Sequence, residues 1–222
     1  MYDLDKLAIK WQQCWVNKSI DPASATQYDR QEIDRIFLLL VAAYTQPDRH
    51  YHHLNHIDCV LTTLARFSNK LQDPIAVSLA AWFHDFVYDA QASDNEAQSA
   101  RVAKELLTNI GASIESIDRV QHLILATQGH KVDAHDADLC IFLDADLAIL
   151  GTDPVRYQAY QQAIRSEYSW VSDAAYQAGR IRVLESFLQR NRLYYTDLLF
   201  DELESLARCN LAREIAFLVN AK

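Results

Sequence analysis

All eight histidines of this 222-residue chain fall between His50 and His135. Three short segments in or just beyond that window hold the side chains best suited to chemistry: Arg49-His-Tyr-His-His-Leu-Asn-His56, Phe83-His84-Asp85, and Phe142-Leu-Asp-Ala-Asp146-Leu-Ala-Ile-Leu-Gly151. His52 and His56 are four apart and share a helical face if the helix has begun by His52, whereas His53 points elsewhere. On a helix, His84 and Asp85 splay by about 100°, which still lets both reach a cation lying between them. A lone histidine or a lone His-Asp pair is weak evidence, since packing explains most of them. The setting of this pair is more telling. The run Ile75 to Phe83 is almost wholly apolar and leads directly into His84-Asp85, so the pair stands at the edge of a core. A buried carboxylate beside an imidazole is costly unless a proton or a cation compensates it, and a divalent metal removes that cost.

The elements that must position these groups are helices. Four glycines, four prolines and no Asn-Gly or Asp-Gly pair supply too little turn chemistry for a sandwich or barrel of short strands. Three prolines follow an aspartate, at Asp21-Pro22, Asp73-Pro74 and Asp153-Pro154, and each pair reads as a helix start. Ser93-Asp94-Asn95-Glu96 reads as a capping box, and Gly111 and Gly151 as helix stops. Apolar stripes recur at three and four: Leu4, Leu7, Ala8, Trp11 and Trp15; Ile36, Leu39, Leu40 and Ala43; Ile181, Leu184, Phe187 and Leu188; Leu203, Leu206, Leu211 and Ile215. The pattern predicts about ten helices, at roughly 3–18, 22–45, 53–70, 74–88, 94–110, 114–127, 137–150, 154–169, 173–190 and 198–219. With no repeat or linker, residues 1–222 read as one all-α domain. Its core spans about 30–151, with a C-terminal helical annex over about 152–222.

Composition bounds the rest. A net charge of -9 with no basic block excludes general nucleic-acid binding, though not a local basic pocket for one phosphate. Cys14, Cys59, Cys140 and Cys209 are too scattered for a thiolate metal site or a disulfide framework and read as reduced, mostly buried thiols. The N-terminal segment is charged where a signal peptide is apolar. The longest apolar stretch, Ile36 to Tyr44, is half of the ~20 residues that span a bilayer. A cytoplasmic protein with no membrane partner is expected.

The ordered pattern His…His-Asp…Asp on separate helices resembles the HD superfamily of metal-dependent phosphohydrolases. The likeness extends beyond that signature. Tyr51-His52-His53-Leu54-Asn55-His56-Ile57, Trp82-Phe83-His84-Asp85-Phe86-Val87-Tyr88-Asp89 and Asp94-Asn95-Glu96 resemble the "YHNL.H", "FHD.VYD" and "DNE.SA" blocks of one bacterial and fungal branch. Asp144-Ala-Asp146-Leu, Ile164-Arg-Ser-Glu-Tyr168 and Ala207-Arg-Cys-Asn-Leu211 are similar to its later blocks, so the likeness runs from about residue 30 onward. One departure is His53, where the family pattern has asparagine.

The resemblance implies an HD-type helical bundle and the metal ligands His56, His84, Asp85 and Asp146. Asp146 is preferred to Asp144 because it precedes a Leu-Gly helix end and shares a face with Leu143 and Leu150. Such a nitrogen and oxygen set suits one or two divalent cations among manganese, iron, cobalt, nickel and zinc, and magnesium less comfortably. The implied reaction is attack by metal-bound hydroxide on the phosphate ester of a small molecule, a nucleotide being one candidate. Asp85, His52, His130, Glu96 and Arg165 are the candidate catalytic residues, with His122 and His135 weaker. Asp94 and Glu96 are equally well explained by capping, and Arg165 and Arg180 by salt bridges or by phosphate recognition. Tyr157, Tyr160 and Tyr168 suit either a packed helix face or stacking on a base. Two other readings stand beside hydrolysis: a di-iron HD-type oxygenase, which needs His130 or His122 as extra ligands, and a non-catalytic module that binds a nucleotide or metabolite. Substrate, physiological metal and oligomeric state are not encoded legibly.

Overall fold

The computed structural model describes residues 2–16, 30–130, 132 and 136–220. The helix start expected at Asp21-Pro22, the helical stretches expected over 17–18 and 22–29, and His135 lie outside the described residues. Among the described residues all regular structure is helical: α1 (Leu4–Val16), α2 (Arg30–Tyr44), α3 (Leu54–Ala65), α4 (Pro74–Phe83), α5 (Asn95–Asn109), α6 (Ile114–Ala126), α7 (Ala137–Asp146), a 3-10 turn (Leu147–Gly151), α8 (Pro154–Glu167), α9 (Asp173–Leu188) and α10 (Asp197–Asn220). None of these helices is long and apolar enough to cross a membrane. The chain forms two compact units, Met1–Phe142 and Leu143–Lys222.

In the first unit α4 is the central helix, packed by α1, α3, α5 and α6. Seven of its ten residues are buried, from Ala76 to Phe83, as expected of a helix that is apolar all round. Asp73 starts it as the sequence predicts, its carboxylate accepting from the Ala76 N–H ahead of Pro74. Trp11 meets Trp82 edge-on at 5.7 Å and donates from Nε1 to the Ile33 carbonyl, while the Tyr44 hydroxyl donates to the Trp82 carbonyl. Buried Asp138 of α7 accepts the N–H groups of Gln72 and Asp73, both at 2.8 Å, which ties α7 to the start of α4. Gly111 ends α5 in the left-handed region, φ +78, with the Ala112 N–H reaching the Leu107 carbonyl.

Two helices stop earlier than the pattern predicts. α3 ends at Ala65, where Arg66 to Lys70 turn to bury Phe67, and α4 ends at Phe83. The capping box does not form either: Asp94 makes no side-chain cap, and its carboxylate accepts from the Gln98 amide instead.

In the second unit the 3-10 turn and α9 pack on α10, and α8 packs on the 3-10 turn. Gly151 stops the turn by its smallness, since a Cβ there would stand 2.5 Å from the Leu203 Cβ. Asp153 caps α8 as expected, accepting from Val155 and Arg156. The inward face of α10 differs from the expected stripe. Leu199, Glu204, Ala207, Asn210, Leu211 and Glu214 are buried, whereas Leu203, Leu206 and Ile215 are not fully so. Paired polar side chains rotate that face: Glu204 accepts the N–H groups of Leu193 and Tyr194, and Asn210 donates to the Leu150 and Thr152 carbonyls.

None of the four cysteines is in a disulfide, but only Cys14 and Cys140 are buried; Cys59 is half-buried and Cys209 exposed.

Candidate metal centre

α3 begins at Leu54, so His52 precedes the helix, and the shared face expected for His52 and His56 does not exist in that form. His53 is the N-cap, and its Nδ1 accepts the Asn55 N–H at 3.2 Å. An imidazole nitrogen thus does what an asparagine oxygen would do at that position. The cap sets buried His56 on the third residue of α3, against the end of α4.

His84 is the C-cap of α4, and Asp85 lies in the turn beyond it, so the pair is aimed by a helix end and not by the helical splay expected. His84 Nδ1 lies 3.0 Å from the Ala81 carbonyl. That oxygen can only accept, so Nδ1 carries the proton and Nε2 presents its lone pair. His84 Nε2 stands 3.1 Å from His56 Nε2 and 3.1 Å from Asp85 Oδ2, and His56 Nε2 stands 3.5 Å from the same oxygen. Phe142 of α7 meets the His84 ring edge-on at 5.8 Å. One helical turn further, Asp146 is the last residue of α7 and is half-buried. Asp144, the alternative, is committed elsewhere, accepting the Tyr195 and Thr196 N–H groups at 2.7 Å each.

These spacings pass a simple test. Two donors each about 2.1 Å from a shared cation stand about 3.0 Å apart at a right angle and about 3.4 Å apart at the tetrahedral angle. Of the three separations among His56, His84 and Asp85, two are 3.1 Å and fall in that range, and the third, 3.5 Å, is about 0.1 Å above it. Burial alone would raise the Asp85 carboxyl, but the imidazoles of His84, His52 and His56 outweigh it and hold the group well below the usual carboxylate range. Two imidazoles and a carboxylate can therefore hold a divalent cation.

The turn carrying Asp85 is gripped at Asp85, Phe86, Val87 and Asp89 by side chains to which pattern reading gave no such role. Buried Arg49 donates to the carbonyls of His52, Asp85 and Phe86, at 3.2, 2.6 and 2.8 Å, with its guanidinium over the rings of Tyr44 and Tyr88. From α5, Ser99 accepts the Val87 N–H and donates to the Val87 carbonyl. Asn95, four residues earlier on the same face, does the same to Asp89. The DNE.SA-like block thus acts through Asn95 and Ser99. Glu96 is half-buried in the first turn of α5. The sequence signal was present in the three-residue distance from Arg49 to His52 and the four-residue spacing of Asn95 and Ser99, but neither residue type suggests chemistry by itself.

His52 stacks on Tyr88 at 4.1 Å, with its ring 6.0 Å from that of His56, so it borders the centre. His130, at φ +49, and His122, more than half exposed and 3.6 Å from Asp136, are not among the grouped ligands. Arg165 donates to the Tyr168 and Val171 carbonyls and to Asp173. Of the two readings offered for Arg180, a salt bridge forms: it pairs with Glu214, and both are buried. Tyr157 is buried and donates to the same Glu214. No family model, curated protein or solved structure matches this chain.

Proposed function

We propose that the chain is an HD-type, divalent-metal-dependent phosphohydrolase acting on a small phosphorylated compound. The observation that carries this reading is the convergence of His56 Nε2, His84 Nε2 and the Asp85 carboxylate at spacings that suit one cation, with Asp146 the further ligand that the HD pattern implies. The donor set favours manganese, iron, cobalt, nickel or zinc over magnesium. A divalent ion held there supplies acidification of water and polarisation of a phosphoryl oxygen. The protein's own groups do the rest. His84 is fixed through its Nδ1–H to Ala81, and Asp85, beside both imidazoles, can ligate the ion and orient water toward the substrate. His52, held against Tyr88, is suited to contact the substrate.

The test is a phosphatase screen over sugar phosphates, nucleotides and simple esters, with the purified protein reconstituted with manganese, beside Asp85→Ala. Turnover of at least one ester, abolished in the variant, is expected. Full activity and metal retention in Asp85→Ala would remove the reading.

A further inference from the structure

The turn that leaves the candidate metal centre is clamped twice from α5. Through one hydroxyl, buried Ser99 accepts the Val87 N–H at 3.0 Å and donates to the Val87 carbonyl at 3.2 Å. Asn95 accepts the Asp89 N–H at 3.0 Å and donates to the Asp89 carbonyl at 2.9 Å. All four bonds end on Val87 and Asp89, not on a candidate ligand. The residues on either side of Tyr88 are thus held by both of their backbone groups, which removes most of the freedom of Tyr88 to turn away.

The ring fixed in this way carries His52. The two rings stack at 4.1 Å with 27° between their planes, and Tyr51 meets the His52 ring edge-on at 4.9 Å. Arg49 adds a hold on the backbone, donating to the His52 carbonyl at 3.2 Å with its guanidinium 5.6 Å from the Tyr88 ring. His52 is therefore fixed both by its backbone and by its ring, yet the imidazole is half-exposed and lies 6.0 Å, ring to ring, from His56. Confining a half-exposed side chain costs rotamer freedom that its burial returns only in part. Such a supporting shell is what keeps a ligand-contacting group in register. An imidazole N–H is moreover a suitable donor to a phosphoryl oxygen.

We propose, resting on the phosphohydrolase reading for the partner, that Tyr88 is a positioning residue which sets the His52 imidazole against the phosphoryl group of the substrate. Asn95 and Ser99 fix Tyr88 in turn. The supports of the turn thereby divide: the Asp85 carbonyl depends on Arg49, and the ring of His52 depends on Tyr88 and α5.

The experiment has two arms, both on the full chain. The first needs neither metal nor substrate. In the proton nuclear magnetic resonance spectrum of the metal-free protein, the His52 ring protons, identified by their absence in His52→Ala, should lie upfield because a stacked ring shields them. They should move downfield in Tyr88→Leu and in Asn95→Ala and stay in place in Tyr88→Phe, which keeps the ring. The second arm titrates the manganese-loaded protein with inorganic phosphate. Tyr88→Leu should bind phosphate about tenfold more weakly, with manganese affinity and helical circular dichroism unchanged, and Tyr88→Phe should restore the native affinity. Unmoved His52 resonances or native phosphate affinity in the folded Tyr88→Leu chain would overturn the proposal. So would an equal loss of manganese affinity, which would make the ring a support of the metal ligands alone. A manganese-loaded native chain that binds no phosphate would overturn the phosphohydrolase reading and the substrate role of His52, while resonances that move as expected would still show Tyr88 setting that ring.

Discussion

At the scale of single residues, the turn after α4 depends on backbone carbonyls held from outside. Arg49 is the main such support, because one buried guanidinium fixes the carbonyls of His52, Asp85 and Phe86. Arg49→Met keeps much of the volume and removes the donors. It should lower metal affinity about 10–100-fold, as loss of groups that orient ligands generally does, with helical circular dichroism retained. A competition titration with a chromogenic chelator measures this, and unchanged affinity would show that the turn holds itself. The cysteines give a second prediction. Burial pushes the Cys14 thiol up to about 12, whereas Cys209 is exposed. At pH 8, iodoacetamide should alkylate Cys209 in the native chain and spare Cys14 until denaturant is added, as read by peptide mass spectrometry.

At the scale of elements, α7 is anchored where it begins. Asp136 accepts from Arg119 and from the Leu139 N–H, and Asp138 holds the loop before α4. The Arg119 hydrogen bond lowers the Asp136 carboxyl from 3.8 to about 2. A depressed folded-state value means that the contribution is complete above about pH 4 and is lost as pH falls through about 2. The pair is solvent-accessible, so the effect should stay below about 1 kcal/mol. Asp136→Asn should remove that part of the acid sensitivity in urea unfolding between pH 4 and 2; an unchanged profile would assign it to other carboxylates. In the second unit, Gly151→Ala forces a Cβ into Leu203 and should cost about 1–3 kcal/mol in denaturant unfolding.

The positions of most elements were legible because Asp-Pro starts and apolar periodicity are local signals. The face of α10 was not, because Glu204, Asn210 and Glu214 are buried by partners on other segments, which periodicity cannot see. The same limit applies to the site. His56, His84 and Asp85 announce themselves by type and setting. Arg49, Asn95 and Ser99 act by gripping backbone, and that is visible only once the chain is folded.

At the scale of the whole molecule, the net charge of -9, the buried imidazoles of His56 and His84 and the half-buried Asp85 carboxylate make a cation the natural complement of this chain. A ligand that binds only the folded state adds about 2.7 kcal/mol at a hundred times its dissociation constant. Manganese or zinc in that excess should therefore raise the melting temperature by several degrees, and ethylenediaminetetraacetate should reverse the shift. The most direct measurement is elemental analysis of the purified protein, before and after reconstitution, beside the His84→Ala/Asp85→Ala variant. The account predicts one or two divalent ions per native chain and none held by the variant. Native protein that takes up no metal even after reconstitution with manganese, or a variant that keeps the full complement, would contradict it.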